Sequence, residues 1–262
     1  MKRPDYKNWM PKGMILSFAA GAVICLLVRI AIGARMAEGR WKAVLSVLFL
    51  IGTLILSLAA LWCYALYRAF DYNGKRQMSK QIIEGIAGNI DLKNGGKVLD
   101  VGCGSGALAI AVAKRHPEAE VIGIDRWGKE YASFSLKLCE DNAEAEGVSN
   151  VSFRQGDALR LDFADETFDA VTSNYVYHNI PSKDRQAILL ETLRTLKKGG
   201  QFALHDIFSV SKYGDMDAFV KKLKDMGYEK VELIDTTDGM WISKTEALFM
   251  ELAGSALLKG IK

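Results

Sequence analysis

Hydrophobic residues are concentrated in two long runs in the first quarter of the chain. Residues 13–33 contain one charged side chain, Arg29, and residues 43–67 contain none. The second run would form a helix of about 37 Å at 1.5 Å per residue, which is enough to cross a bilayer. The pattern therefore predicts transmembrane helices at 13–33 and 43–67, joined by a short loop near 34–42.

The first apolar run follows a short polar tail, residues 1–12, and could alternatively be the core of a cleavable signal peptide. That tail contains Asp5, and a second apolar run follows at once, and both features are unusual for such a peptide. Basic residues number four in the tail, three in the loop and four just after the second run. This small excess predicts that the tail and the rest of the chain both lie in the cytoplasm.

From about residue 78 the apolar positions alternate between helical and strand spacing. The pattern predicts helices over 77–90, 105–116, 127–147, 182–200 and 215–227, and strands over 97–102, 119–125, 151–157, 167–175, 201–207 and 228–236. Lysines and glycines at the end of the segment 182–200 are typical of a helix C-terminus. Regular alternation of strands and helices predicts a parallel sheet with helices on both faces.

Composition and cysteine spacing argue against nucleic acid as a partner and against a metal site. The formal net charge of +3 is too small to favour nucleic acid. The four cysteines, Cys25, Cys63, Cys103 and Cys139, lie far apart without metal-ligand spacing. We therefore predict free thiols and no metal site.

The stretch VLDVGCGSGALAI, residues 98–110, places three glycines between a predicted strand and a predicted helix. Gly102, Gly104 and Gly106 would let the chain turn tightly and let a ligand approach the main chain. Gly102, Gly104 and Ala107 also satisfy the dinucleotide fingerprint G-x-G-x-x-[GA]. This turn alone therefore does not choose between NAD and another adenosine cofactor.

Three aspartates lie near the predicted strand ends. Asp125 ends the second strand, where a carboxylate accepts hydrogen bonds from ribose hydroxyls. Asp100 lies inside the first strand, and burying it requires a cationic group or loop amides. Asp157 lies in the turn after the third strand, where it is placed to accept from an adenine amine.

The segments VLDVGCGSG, VIGID, QGDAL, FDAVTSNYVYHNI and LKKGGQFALHD occur in this order and spacing. Together they resemble the class I S-adenosylmethionine-dependent methyltransferases. The resemblance covers about 78–262 and implies an α/β fold, a Rossmann-like, doubly wound, mostly parallel seven-stranded sheet whose last strand, SALLKGIK, is antiparallel. It also implies S-adenosylmethionine as the cofactor.

The resemblance further implies roles for the residues around the cofactor. By it, Asp100 and the turn Gly102–Gly106 lie along the methionine part, Asp125 holds the ribose, Arg126 or Trp127 covers one adenine face, Asp157 and Ala158 meet the adenine edge, and Ser173 and Asn174 lie beside the sulfonium. The long connection 237–254 before the last strand is expected to hold a helix over the sheet edge.

Methyl transfer needs a base only when the acceptor must lose a proton. His178 is the candidate general base because an imidazole titrates near neutral pH, and its alternative role is to cap the following helix. Asp206 and His205 form a polar pair at the end of the fifth strand. Tyr175 and Tyr177 are candidates to stabilise an ammonium product by cation–π contact, or else they are packing residues.

The predicted membrane helices point to a small lipophilic acceptor, with the segment 76–88 as an amphipathic lid between the membrane and the site. Two other functions stay open. One is a membrane-tethered NAD-dependent oxidoreductase, although no hydride-transfer motif follows the glycine turn. The other is a catalytically silent module that binds the cofactor, or binds only membranes. Nothing in the sequence selects oxygen, nitrogen or sulfur as the acceptor atom, or an oligomeric state.

Overall fold

The computed structural model describes residues 3–128 and 133–262, in two compact units. One unit is Asn8–Ser79, and the other combines Met1–Lys7 with Lys80–Lys262. The α-helices are α1 (Lys12–Arg35), α2 (Arg40–Phe70), α3 (Met78–Ala87), α4 (Ala107–Arg115), α5 (Leu136–Glu146), α6 (Arg185–Arg194), α7 (Val210–Tyr213), α8 (Met216–Asp225) and α9 (Lys244–Phe249). The strands are β1 (Gly96–Val101), β2 (Ala119–Asp125), β3 (Val151–Gln155), β4 (Phe168–Asn174), β5 (Leu196–Ile207), β6 (Lys230–Asp235) and β7 (Ser255–Ile261).

The smaller unit is a pair of apolar helices, α1 and α2. They approach closely at two glycines, because a Cβ atom on Gly21 would lie 3.1 Å from Leu56 and one on Gly52 would lie 3.3 Å from Cys25. Both helices are long and apolar enough to cross a membrane, and their most apolar windows are 11% and 0% buried. Those side chains therefore face outward and do not form a core.

The larger unit is built on one seven-stranded sheet in the order β3-β2-β1-β4-β5-β7-β6. The first five strands in the chain are parallel, and β7 runs antiparallel to β5 and to β6. This confirms the predicted fold class and its antiparallel last strand. The order reverses between β1 and β4, and ligands of open α/β sheets bind at the carboxyl ends of the strands at such a point.

The centre of this sheet is dry on both faces. Val98, Leu99 and Val101 of β1 are completely buried, and so are Phe168 and Val171 of β4. Helix α4 is buried from its first residue to its seventh and is rich in alanine, so its backbone packs close to the sheet. This well-packed centre holds the carboxyl ends of the strands, where the candidate site lies, in fixed positions.

The boundary between α6 and β5 differs from the sequence prediction. The helix ends at Arg194, and the segment 196–200 belongs to β5. Lys197 forms an ion pair of 2.8 Å with Asp169 and does not cap a helix. Pairing with β4 and with the end of the chain outweighs the local preference of this segment.

Helix α5 is shorter than its predicted span of 127–147. It starts after Ser135, whose hydroxyl oxygen accepts a hydrogen bond from the Leu138 amide at 3.2 Å. Residues 129–132 of the predicted helix lie outside the described residues. The cap explains the start, because the serine hydroxyl satisfies one of the amides that the first turn of a helix leaves without a backbone acceptor.

Two further predictions concern α3 and the connection 237–254. Ile82, Ile83 and Ile86, the apolar face of α3, are buried in the protein, so this face is not exposed to lipid, and the role of the segment as a lid stays a prediction. The connection does contain a helix, α9, which starts with a capping box between Ser243 and Glu246.

Candidate active site

The glycine turn lies at the reversal point of the sheet, and its glycines serve different purposes. Gly102 and Gly104 have φ of +73° and +56°, a region that side chains disfavour. A Cβ atom on Gly102 would lie 2.2 Å from the side chain of Val176, so the loop after β4 packs directly on this turn. A Cβ atom on Gly104 would meet nothing within 4 Å, so the backbone there is open to a ligand.

Asp125 holds this turn in place. Its Oδ2 accepts a hydrogen bond from the Gly104 amide at 2.9 Å, and its Oδ1 accepts one from the Trp127 amide at 2.8 Å. The Trp127 indole donates to the Gly104 carbonyl at 3.0 Å. Sequence reasoning missed this structural role. Each carboxylate oxygen keeps acceptor capacity for a ribose hydroxyl.

Asp100 is 1% exposed beside the same turn. Its Oδ1 accepts from the Thr172 hydroxyl at 2.9 Å, whereas its Oδ2 is buried and has no hydrogen-bond partner among the described residues. Burial raises the pKa of Asp100 to about 7. An unpartnered carboxylate oxygen under an open glycine turn fits the ammonium group of an amino-acid-bearing nucleoside such as S-adenosylmethionine.

Donor binding is therefore expected to depend on pH. Below pH 7 the carboxyl group of Asp100 is mainly neutral, so it must lose its proton before it can bind the ammonium group of the donor. We expect the Kd for S-adenosylhomocysteine to be about tenfold higher at pH 6 than at pH 8, since one pH unit below the pKa is a tenfold change. Calorimetric titration of the full chain measures this Kd.

Asp100→Asn is the control for this titration, and we expect it to bind weakly with a flat pH profile. An unchanged slope in that variant would contradict the assignment. In the absence of ligand the same raised pKa makes the free energy of unfolding fall as the pH rises from about 4 to about 7, because the folded state binds more protons there.

The residues expected around adenine lie at the ends of β2 and β3. Arg126 is exposed, and its Nε lies 3.9 Å from Asp157 Oδ2. Asp157 Oδ1 accepts from the Leu159 amide at 2.9 Å, which shapes the turn, and Ala158 is buried in the core. One Asp157 oxygen thus faces solvent beside a cation. The adenine roles of these residues and of Trp127 stay predictions.

Ser173 and Asn174, expected beside the sulfonium, have different surroundings. Ser173 is fully buried, and its hydroxyl donates to the Val101 carbonyl at 2.8 Å, so this hydroxyl ties β4 to β1. Asn174 Oδ1 lies 2.9 Å from His205 Nδ1, and His205 Nε2 lies 2.9 Å from the Thr236 hydroxyl. Burial lowers the pKa of His205 to about 3, so its ring is neutral and positions Asn174.

His178 and Asp206 form a hydrogen-bonded pair. His178 Nδ1 lies 2.5 Å from Asp206 Oδ1, and Asp206 Oδ2 accepts from the amides of Tyr177 and His178 at 2.8 and 3.2 Å. Asp206 is fully buried, and His178 Nε2 has no partner among the described residues. The alternative role of His178 as a helix cap is wrong, because Asp184 caps α6.

The two candidate tyrosines differ sharply. Tyr175 has a φ of +55°, which is strained for an aromatic residue, and its ring lies 4.7 Å from His205 and 6.0 Å from His178. Burial raises its pKa above the ordinary value. Tyr177 is fully buried in the core, and its hydroxyl lies 3.0 Å from that of Thr192, which supports the packing alternative.

Trp241 is a residue that sequence reasoning did not single out. It comes from the connection 237–254, and its ring lies 5.1 Å from that of His205. A Cβ atom on Gly85 of α3 would lie 2.3 Å from this indole, so the glycine is required for the ring to fit. An aromatic residue in a connection longer than a hairpin needs was the available signal.

Residues 92–247 match the protein family described as Methyltransferase domain. The demethylmenaquinone methyltransferase of Geobacillus kaustophilus is 36% identical over 118 residues, which cover 45% of this chain and 47% of that protein. The 27-O-demethylrifamycin SV methyltransferase of Amycolatopsis mediterranei is 28% identical over 159 residues, 60% of this chain and 56% of that protein. The chain thus spans about half the length of the curated relatives it matches.

Solved structures agree on the fold. The [4+2]-cyclase SpnF has a TM-score of 0.55 at 19% identity, covering 73% of this chain and 85% of its own. Geranyl diphosphate methyltransferase, solved with geranyl diphosphate and sinefungin, has a TM-score of 0.52 at 16% identity, covering 74% and 83%. Because the family match extends over more than half of the residues, the chain belongs to the methyltransferase domain family and is a class I S-adenosylmethionine-dependent methyltransferase.

Proposed function

We propose that the chain transfers a methyl group from S-adenosylmethionine to a small lipophilic acceptor at a membrane surface. The observation that carries this proposal is that two kinds of polar group lie at the carboxyl ends of strands around the reversal point between β1 and β4, where open α/β sheets form their ligand crevice. Asp100 and Asp125 lie on the side of the glycine turn, and the pair of His178 and Asp206 lies in the loops after β4 and β5. Val176 on Gly102 joins the two sides.

On the donor side, contacts already described support the roles proposed for Asp125 and Asp100. Asp125 accepts from the ribose hydroxyls while it holds Gly104, and Asp100 receives the ammonium group on its free oxygen. The open backbone at Gly104 lets the methionine part lie against it. Trp127 or Arg126 stacks on the adenine, and Asp157 with Ala158 meets its edge.

On the acceptor side, His178 Nε2 takes the proton of an acceptor hydroxyl. Asp206 holds Nδ1 of the same ring and stabilises the imidazolium that results, since the carboxylate is itself held by backbone amides. S-adenosylmethionine supplies a methyl group that is already activated on sulfur. Most of the acceleration then comes from holding the acceptor oxygen about 3–3.5 Å from that methyl group, in line with the bond that breaks.

Aromatic rings around this pair suit an apolar acceptor. Tyr175 and Trp241 each contact the ring of the buried His205, with ring centroids 4.7 and 5.1 Å away, and we propose that these rings form the aromatic wall of the acceptor site. Two relatives are consistent with this, the demethylmenaquinone methyltransferase described above and a sterol 24-C-methyltransferase of Aspergillus fumigatus that is 32% identical over 129 residues. We infer a ring-bearing or prenyl-type lipophile as the acceptor class.

Trp241→Ala tests this wall. We expect the acceptor KM to rise about tenfold, because truncating a large aromatic contact costs well over 1 kcal/mol, whereas the S-adenosylmethionine KM should not change. Leu248→Ala is the matched control, because Leu248 lies in the same connection and is 77% exposed. Equal effects of the two variants on the acceptor KM would contradict the assignment.

The proposed location is an integral membrane hairpin with the larger unit in the cytoplasm. The lengths and apolar surfaces of α1 and α2 support the hairpin, and the excess of basic residues in 1–12 and 68–80 supports the orientation. Such an anchor keeps the larger unit at the membrane in which lipophilic acceptors dissolve.

The test is transfer of labelled methyl from S-adenosylmethionine by the full chain in lipid nanodiscs. Host membrane extracts and defined phenols, quinols and lipids serve as acceptors, and mass spectrometry identifies the product. We expect label in a lipophile. Full-rate methylation of a polar acceptor without lipid would contradict the acceptor class. Donor binding without any transfer would favour a silent module, and a thermal shift with NAD alone would favour an oxidoreductase.

A further inference from the structure

The polar tail ahead of α1 is bound to the larger unit through Asn142. The Asp5 amide donates to Asn142 Oδ1 at 2.7 Å. Asn142 Nδ2 donates to the carbonyls of Asp5 and Ser105 at 3.0 and 2.9 Å. The Ser105 hydroxyl donates in turn to the Tyr6 carbonyl at 2.9 Å. One amide side chain therefore connects the tail to the glycine turn.

The contact between the tail and the larger unit's helix α5 and glycine turn is buried. Asn142 is 2% exposed, and Ser105 and Tyr6 are each 6% exposed. Every polar atom of the Asn142 side chain is used, and each of its partners is a main-chain atom of the tail or of the turn. Without the tail, two of these three bonds would be lost in a dry site, which is costly for a buried amide.

The Tyr6 side chain fixes the tail at its outer end. The Tyr6 hydroxyl donates to Glu146 Oε1 at 3.0 Å, and Lys114 binds the other carboxylate oxygen at 2.8 Å. These partners lie at the ends of α5 and α4. After Tyr6 the chain turns sharply at Lys7, whose φ is +55°.

The turn that the tail holds is the proposed donor site. Ser105 lies between Gly104, whose amide binds Asp125, and Gly106. Asp125 and Trp127 fix Gly104 from one side, and the tail fixes Ser105 through Asn142 from the other. Asn142 also lies on the same helix as Cys139, whose thiol donates to the Gly104 carbonyl at 3.2 Å.

We propose that Tyr6, together with Asn142, positions the donor-binding turn, so that donor affinity depends on a segment that precedes the membrane helices. This inference rests on the proposed function. It has a topological consequence, because a tail and a domain that bind each other must lie on the same side of any membrane that α1 and α2 cross.

Tyr6→Ala in the full chain in nanodiscs tests the proposal. Loss of the ring removes the buried anchor of the tail. We expect the Kd for S-adenosylhomocysteine and the KM for S-adenosylmethionine to rise about tenfold, within the usual range of coupling between sites, while kcat at saturating donor stays within about twofold. Hydrogen exchange at the amides of 102–106 should increase, and that in β5 should not change.

Two further variants complete the experiment. Tyr6→Phe keeps the buried ring and the carbonyl contact, so it should restore donor affinity to near the parent value. Arg3→Ala changes an exposed tail residue and should have no effect. The proposal is overturned if Tyr6→Ala binds donor like the parent, if kcat falls instead of affinity, or if that variant does not fold. Failure of the proposed function would appear separately, as a parent protein that does not bind S-adenosylhomocysteine.

Discussion

Replacing His178 by alanine should lower kcat about 10²–10⁴-fold, the usual contribution of a general base. The Kd for S-adenosylhomocysteine should stay within about twofold, since no donor contact is assigned to this side chain. The physical reason is that His178 Nε2 is the free end of an imidazole whose other nitrogen is held by Asp206 at 2.5 Å. A hydroxyl acceptor then loses the proton acceptor assigned to it.

Asp206→Asn tests what the negative charge of the Asp206 carboxylate contributes to the His178–Asp206 pair. The variant retains the shape of the side chain but removes the negative charge that stabilises the imidazolium, and its amide group can hold the ring in the wrong tautomer, so we expect a loss of kcat comparable to that in His178→Ala. His116→Ala is the matched control, because this histidine contacts the Ile90 carbonyl away from the crevice. Single-turnover measurement of methyl transfer gives the rates. A loss of less than threefold in His178→Ala would make this residue a structural one.

Replacing Asp125 by alanine should weaken S-adenosylhomocysteine binding about 10²-fold or more, since hydrogen bonds to a charged group contribute about 1.5–3 kcal/mol each. Two losses combine. The ribose hydroxyls lose their acceptor, and the amides of Gly104 and Trp127 lose the carboxylate that orders the turn. The second loss makes the expected effect larger than for a residue that touches only the ligand.

Asp125→Asn distinguishes these losses, because an asparagine retains one oxygen for an amide but points its own amino group at the other. We expect an intermediate Kd. Asp225→Ala, which changes an exposed aspartate at the end of α8, is the control. Calorimetry on the full chain measures all three values. Parent-like affinity in Asp125→Ala would show that the ribose lies elsewhere.

Much of the fold could be predicted from local pattern. Strand and helix periods, glycines between β1 and α4, and acids at strand ends are properties of neighbouring residues, and they predicted the parallel sheet and the position of Asp125 at its carboxyl edge. Local pattern failed at 196–200, where lysines and glycines typical of a helix end belong to β5. The partner strand β4 decided that boundary.

The sequence by itself determined the two apolar helices, the α/β class and the family, because these depend on composition, periodicity and motif order along the chain. Only the tertiary structure decided which side chains meet: His178 with Asp206, Trp241 with His205, and Asn142 with Asp5. These partners are separated by 28, 36 and 137 residues. Strand register and the packing of distant loops bring them together, and neither leaves a local trace in the sequence.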